Sequence, residues 1–310
     1  MRVGPFPERA RATARVAWFE LLEERRAALL AVQKQFYRIL RLEQAAALAR
    51  EETRLAEELA GLGRAMAKEE RIDRIELNTQ EVAARRAEMA VRELERRHRR
   101  ACLELDGLLG APAGTTAGVQ GGWPGPARGT PVTVAGGTLA DHPRRRAREA
   151  AVAAGRKSLA EADSLAWPDL ELYALGLHDE FQEEDYFGLG FGLPLPLFDR
   201  NQGGRAAARA GLIRARRALA AECARLAAEL AAAQSDLARA RELAALYDEE
   251  ILPRLEENCA LVAERVARGR ASRLEELRSR LLLLAARREV LTHRQEQAAA
   301  RSEIDYLMAE

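Results

Sequence analysis

The most constraining stretch of the chain is Tyr186 to Leu197. There Phe187, Leu189, Phe191, Leu193, Leu195 and Leu197 alternate with Gly188, Gly190, Gly192, Pro194 and Pro196. A period of two sets all the large apolar side chains on one face of an extended strand and leaves the other face almost bare. A half-buried strand of a soluble protein carries polar groups opposite its apolar ones. This pattern instead suits an apolar face turned to lipid and a bare face turned to a crowded interior. About ten residues at barrel tilt are enough to cross a membrane. Taken alone, the segment also leaves open a strand of a soluble sandwich. Upstream, Leu170, Leu172 and Ala174 alternate with Glu171 and Tyr173, and the polar run from Asp179 to Asp185 intervenes, so a β-hairpin is expected over 168–197.

Helical pattern follows this strand over 200–268, roughly 100 Å if continuous at 1.5 Å per residue, interrupted only by Pro253, where a kink is expected. Gly269-Arg270-Ala271-Ser272 makes a reversal. The last helix, 273–309, carries Leu274, Leu277, Leu281 and Leu284 at the spacing of a coiled-coil seam. The first third repeats this plan. From Glu8 the chain is free of Pro and Gly until Gly61, with Trp18, Leu21, Leu22, Leu29, Leu30 and Val32 set among charges, which predicts one helix of roughly 80 Å. A second helix is predicted from near Ile72 to Leu109, stopped by Gly110, and the two form an antiparallel hairpin. Arg273-Leu274-Glu275 aligns with Arg74-Ile75-Glu76, and Ile304-Asp305-Tyr306-Leu307 with Leu105-Asp106-Gly107-Leu108, as expected of a duplicated unit. The organisation is therefore a first helical hairpin over 1–110, a Gly/Pro-rich connector over 111–141 with a short extended piece at Thr130–Val134, and a second repeat over 142–310. The second repeat opens with a helix from Pro143 to Ala166, with Asp141 or His142 near its start and Trp167-Pro168 ending it.

Composition excludes several functions. Charged residues are 31% of the 310 and aromatics 5%, the profile of long helices. Lys plus Arg (49) and Asp plus Glu (48) nearly cancel, so no basic field draws nucleic acid. Cys102, Cys223 and Cys259 lie far apart in helical sequence, and His98, His142, His178 and His293 are scattered. Neither set has a metal-site or disulfide spacing. Gly188, Gly190 and Gly192 alternate along a strand instead of opening a phosphate-binding helix, and no nucleophile motif occurs. The reading is a non-enzyme with no catalytic residue, metal site or cofactor. No run of 18 apolar residues exists, and Met1 to Pro7 lacks the apolar core of a signal peptide.

With these features the chain resembles the outer membrane efflux protein family, the TolC-like channels. The most specific match is Gly188 to Gly203, which looks like the strand-to-helix junction of the heavy-metal efflux branch, with Pro194, Pro196, Asp199 and Asn201 at the turn. Trp167-Pro168-Asp169-Leu170, Ile251-Leu252-Pro253 and the run Gly269 to Leu277 support it. The resemblance implies a mainly α fold of long antiparallel helical hairpins, a coiled-coil α-barrel protomer, with one β-hairpin contributing to a membrane β-barrel. It implies a homotrimer in the outer membrane with periplasmic helices, partnered by a periplasmic adaptor and an inner-membrane pump. Such a trimer is a passive conduit for metal cations or other small molecules, in contact with outer-membrane lipid and not with nucleic acid. Phe187, Leu189, Phe191 and Leu193 then face lipid, Gly269, Arg270, Ser272 and Arg273 form an adaptor-docking tip, and Glu275 with Glu76 lines the pore aperture. On the residues alone, the same two glutamates read first as ordinary solvated carboxylates on an exposed helix face. Family members begin with a signal peptide, a helix and a further β-hairpin, which implies that this copy is N-terminally truncated or begins at a late start. The alternative in another class is a soluble coiled-coil scaffold or adaptor, against which the long apolar strand face argues.

Overall fold

The computed structural model describes residues 6–124, 139–165, 167, 171–179, 184–192 and 200–308. In chain order these are α1 (Phe6–Lys68), α2 (Arg74–Leu109), α3 (Pro143–Ser164), β1 (Glu171–Asp179), β2 (Glu184–Gly192), α4 (Gln202–Leu246), a π-turn (Tyr247–Ile251), α5 (Leu252–Ala267) and α6 (Arg273–Met308). The fold is mainly α, with long antiparallel helices and, among the described residues, one antiparallel strand pair.

The chain divides into two compact units. The first gathers Met1–Glu24, Thr138–Ala227 and Glu310. In it α3 starts at Pro143 behind the buried His142, whose Nδ1 accepts the Arg144 N–H, and α4 starts behind Asn201. Asn201 takes a left-handed backbone (φ 56°) and its Nδ2 donates to the Ala162 carbonyl at 3.0 Å, while Arg205 Nε donates to Asp163 Oδ1 at 2.6 Å. The helix that leaves the hairpin is thereby tied to the end of the helix that enters it. Gly155 of α3 faces Leu212 of α4, where a Cβ would meet the Leu212 Cα at 3.4 Å, an ordinary van der Waals contact. β1 and β2 pair in antiparallel register from Glu171 opposite Gly192 to Asp179 opposite Glu184. The strands thus run further into the polar segment than alternation of apolar residues indicated, because the backbone ladder pairs His178 with Asp185 whatever their polarity.

The second unit holds Arg25–Gly137 and Ala228–Ala309. α1 and α2 pack antiparallel around Ile39, Leu42, Ala101, Cys102 and Leu105. The leucine seam of α6 finds its partner on α1: Leu277 and Leu284 are buried with Leu55 and Leu59, flanked by Leu274 and Leu281. Burying each such side chain stabilises by about 1.5–3 kcal/mol. α1 does not stop at Gly61 but continues to Lys68. Gly63 is helical and makes room for Gln80 of α2, whose Oε1 would lie 2.0 Å from a Cβ at that position. The irregularity at Pro253 takes the form of the π-turn, where the Leu252 N–H reaches back to the Tyr247 carbonyl, so the proline, which has no N–H to give, begins α5. Part of the connector is docked on this unit. Asp106 is 1% exposed, and its carboxylate accepts the N–H groups of Gly114 (2.7 Å) and Thr116 (3.0 Å). Glu43 accepts that of Val119 at 3.1 Å, and Trp123 stacks on Tyr37 and donates to Gln44. The extended piece expected at Thr130–Val134 lies outside the described residues.

Candidate functional site

Two reversals lie in the second unit, and they are built alike, bond for bond. After α1, the Arg71 N–H reaches the Met66 carbonyl (2.9 Å) and the Glu70 N–H the Ala67 carbonyl (3.2 Å). After α5, the Arg270 N–H reaches the Arg265 carbonyl (2.8 Å) and the Gly269 N–H the Val266 carbonyl (2.9 Å). This is the paired bonding of a Schellman stop, which needs a left-handed residue just past the helix. Gly269 supplies it with φ 69°, and in the first tip Glu70 does so with φ 56°. The return helices are then capped at matching positions. The Asp73 carboxylate accepts the Glu76 N–H at 2.7 Å, and Ser272 Oγ accepts the Glu275 N–H at 3.3 Å.

Around this framework the candidate tip residues differ in circumstance. Arg270 and Glu275 are exposed. Arg273 spans two helices: its Nε and Nη2 donate to Glu58 Oε1 of α1 at 3.0 and 2.8 Å, and its Nη1 to Glu276 Oε2 at 2.7 Å. These carboxylates hold the guanidinium pKa above its ordinary value. Glu76 is engaged as well, since Arg278 Nη2 donates to its Oε1 at 2.7 Å and so joins the first turn of α2 to the second turn of α6. The matched sequence positions Glu76 and Glu275 are therefore not equivalent, one being ion-paired and the other exposed. Glu58, Glu276 and Arg278 escaped the sequence reading. Glu276 is buried between Arg273 and Arg280, and only the three- and four-residue spacing on α6 signalled that trio. The long-range partners Glu58 and Arg278 had no local signal.

The strand face is the other candidate region. Phe187, Leu189 and Phe191 are 89%, 93% and 76% exposed, and their register partners Gly176, Ala174 and Leu172 share their side of the hairpin. The opposite face is not empty. Tyr173 lies across Gly190, and a Cβ there would meet the ring at 2.4 Å. Leu193, Pro194, Pro196 and Asp199 lie outside the described residues, so of the junction only Asn201, described above, can be located. Among the described residues no group of three or more His, Cys, Asp or Glu is arranged to hold a metal ion, and no helix is long and apolar enough to cross a membrane.

The chain is similar in fold to a membrane protein from Pseudomonas aeruginosa (TM-score 0.79, 17% identity, 98% of this chain and 73% of that one). It is also similar to the outer membrane protein VceC from Vibrio cholerae (TM-score 0.78, 14% identity, 96% and 74%). A third likeness is to the CmeC outer membrane channel of Campylobacter jejuni (TM-score 0.75, 11% identity, 97% and 66%). No protein of curated function matches the chain significantly. At these identities the structural likenesses speak to fold, and the sequence carries the assignment: the model of the outer membrane efflux protein family matches residues 136–310, over half the length. The chain belongs to the outer membrane efflux protein family, whose members are outer-membrane channels with a periplasmic helical part and not enzymes.

Proposed function

We propose that the chain is one protomer of a homotrimeric conduit, the outer-membrane component of a tripartite efflux system. In this reading a periplasmic adaptor and an inner-membrane pump deliver metal cations or other small molecules, which leave passively through the channel. The observation that carries the reading is the face of Phe187, Leu189 and Phe191, each more than three-quarters exposed. In water such a row is an aggregation site, whereas against hydrocarbon it is the outer wall of a barrel strand. Among the described residues the hairpin has only itself as a partner, and open strand edges are not tolerated in lipid, so strands from other segments or copies must close it. Gly269, Arg270, Ser272 and Arg273 form the docking tip, and Glu275, exposed beside it, is the aperture carboxylate. Copies of Glu275 around a narrow pore would concentrate cations there. Glu76, neutralised by Arg278, has the secondary role of holding the tips together. The test is an environment-sensitive fluorophore on Leu189→Cys in a background without the native cysteines, in lipid vesicles. Blue-shifted emission that a lipid-borne quencher removes is the expected result. Water-like emission, or a chain that stays dissolved without detergent, would overturn the reading.

A further inference from the structure

α1 and α6 meet along a seam at heptad spacing. On α6 its positions are Leu274, Leu277, Leu281 and Leu284, then Arg288 and Leu291, and on α1 they are Leu48, Glu52, Leu55, Leu59 and Leu62. The two polar residues fall on one layer. Glu52 Oε2 accepts from Arg288 Nη1 at 2.8 Å, with Leu55 and Leu284 packed on the tip side and Leu48 and Leu291 lining one groove on the other. A single charged layer in a leucine seam fixes register but costs stability.

This layer is half satisfied. The Glu52 side chain is 12% exposed, its Oε1 is buried without a hydrogen-bond partner among the described residues, and Oε2 meets a single guanidinium that is itself 39% exposed. Glu276, also buried on α6, is by contrast held by both Arg273 and Arg280. The neighbouring charges are engaged elsewhere. Glu51 and Arg54 beside Glu52 are exposed and pair with each other, and Arg50 turns to Glu95 of α2. On α6, Arg287 turns to Glu256 of α5, and Glu289 accepts from Tyr247. A buried carboxylate with an orphan oxygen carries a desolvation cost that a proton removes, while Arg288 keeps its water. Burial accordingly pushes the Glu52 carboxyl above the usual glutamate range, against the smaller opposing pull of Arg288. We propose that Glu52 is a proton-binding site in the α1–α6 seam, and that taking up the proton firms the tie between the α1–α2 and α5–α6 hairpins. A folded pKa raised above the unfolded one gives a stabilisation that is complete below the unfolded glutamate value of about 4.3 and is lost as pH rises through the higher folded value. The seam is therefore firmest in acid, the reverse of the connector, which depends on ionised Asp106.

The test is hydrogen exchange of the full chain, resolved by peptide over residues 46–60 and 280–291 and corrected for the intrinsic pH dependence of exchange, from about pH 8 to about pH 4. Glu52→Gln keeps the shape of the side chain and stands in for the neutral acid. At neutral pH its seam should open several-fold less often than the wild type's, and the two should converge as the wild type takes up its proton. Arg288→Gln removes the opposing charge, so its seam should reach full protection at a higher pH than the wild type's. A Glu52→Gln seam that opens as often as the wild type's or more often at neutral pH, or one pH profile shared by both chains, would overturn the assignment. So would an Arg288→Gln profile that does not move.

Discussion

Glu70 is held in the left-handed region at the first tip, at the position where the second tip has Gly269. A side chain in that conformation costs about 1–2 kcal/mol relative to glycine, because its Cβ crowds the following carbonyl. Glycine in turn loses more chain entropy on folding, about 0.5–1 kcal/mol. Glu70→Gly should therefore stabilise the first tip by about 0.5–1 kcal/mol net, since the Schellman bonds of Glu70 and Arg71 are backbone bonds that the substitution leaves intact. Gly269→Glu should destabilise the second tip by a similar or larger amount. Hydrogen exchange resolved by peptide reads each tip separately, where a change of about 1 kcal/mol is a factor of about five in the local opening equilibrium. Exchange across residues 66–74 should slow about two- to fivefold in E70G, and exchange across 265–273 should quicken at least as much in G269E. Unchanged or faster exchange at the first tip in E70G would refute the equivalence of the two turns.

Two further predictions follow from close contacts. Gly190→Ala places a methyl where the Tyr173 ring lies, so the half-exposed ring must leave its rotamer at a cost of about 0.5–1.5 kcal/mol, and the folded, protease-resistant fraction in membranes should fall slightly, with Tyr173→Ala rescuing it. The Thr116 hydroxyl, followed by the Gly114 and Thr116 N–H groups, lowers the pKa of Asp106 below the usual aspartate range. A depressed folded pKa means that Asp106 stabilises the docked connector fully above the unfolded value of about 4 and loses this as pH falls through the lower folded value. With Trp18 and Trp167 replaced by Phe, the emission of Trp123 should hold steady from neutral pH to about 4 and change below it, and Asp106→Ala should show the changed emission already at pH 7.

The parts of the fold that were readable from sequence are those with a short-range cause. Alternation marked Phe187, Leu189 and Phe191 as one face, Gly110 and Gly269 marked helix ends by their left-handed freedom, and heptad spacing marked Leu277 and Leu284 as a seam. The first tip was harder to locate because its left-handed residue is a glutamate, while the nearby Gly61 and Gly63 are helical. Gly63 serves helix approach, a tertiary cause with no local signature. Likewise Gly190 reads as a missing side chain until the pairing brings Tyr173 across it. The candidate site was half legible. The reversal at Gly269 to Ser272 was readable, but the cap by Ser272 was not drawn from it, and the ties from Arg273 to Glu58 and from Arg278 to Glu76 depend on which helices meet, so they set Glu275 and Glu76 apart only in the folded chain.

Conductance of the purified protein in planar lipid bilayers under a salt gradient reads whether the chain forms a membrane conduit with an acidic constriction. Discrete, steady conductance steps are expected, with a reversal potential on the cation-selective side. That selectivity should fall in Glu275→Gln, whose carboxylate is exposed. Vesicle-inserted protein that carries no current, or cation selectivity that Glu275→Gln leaves unchanged, would contradict it.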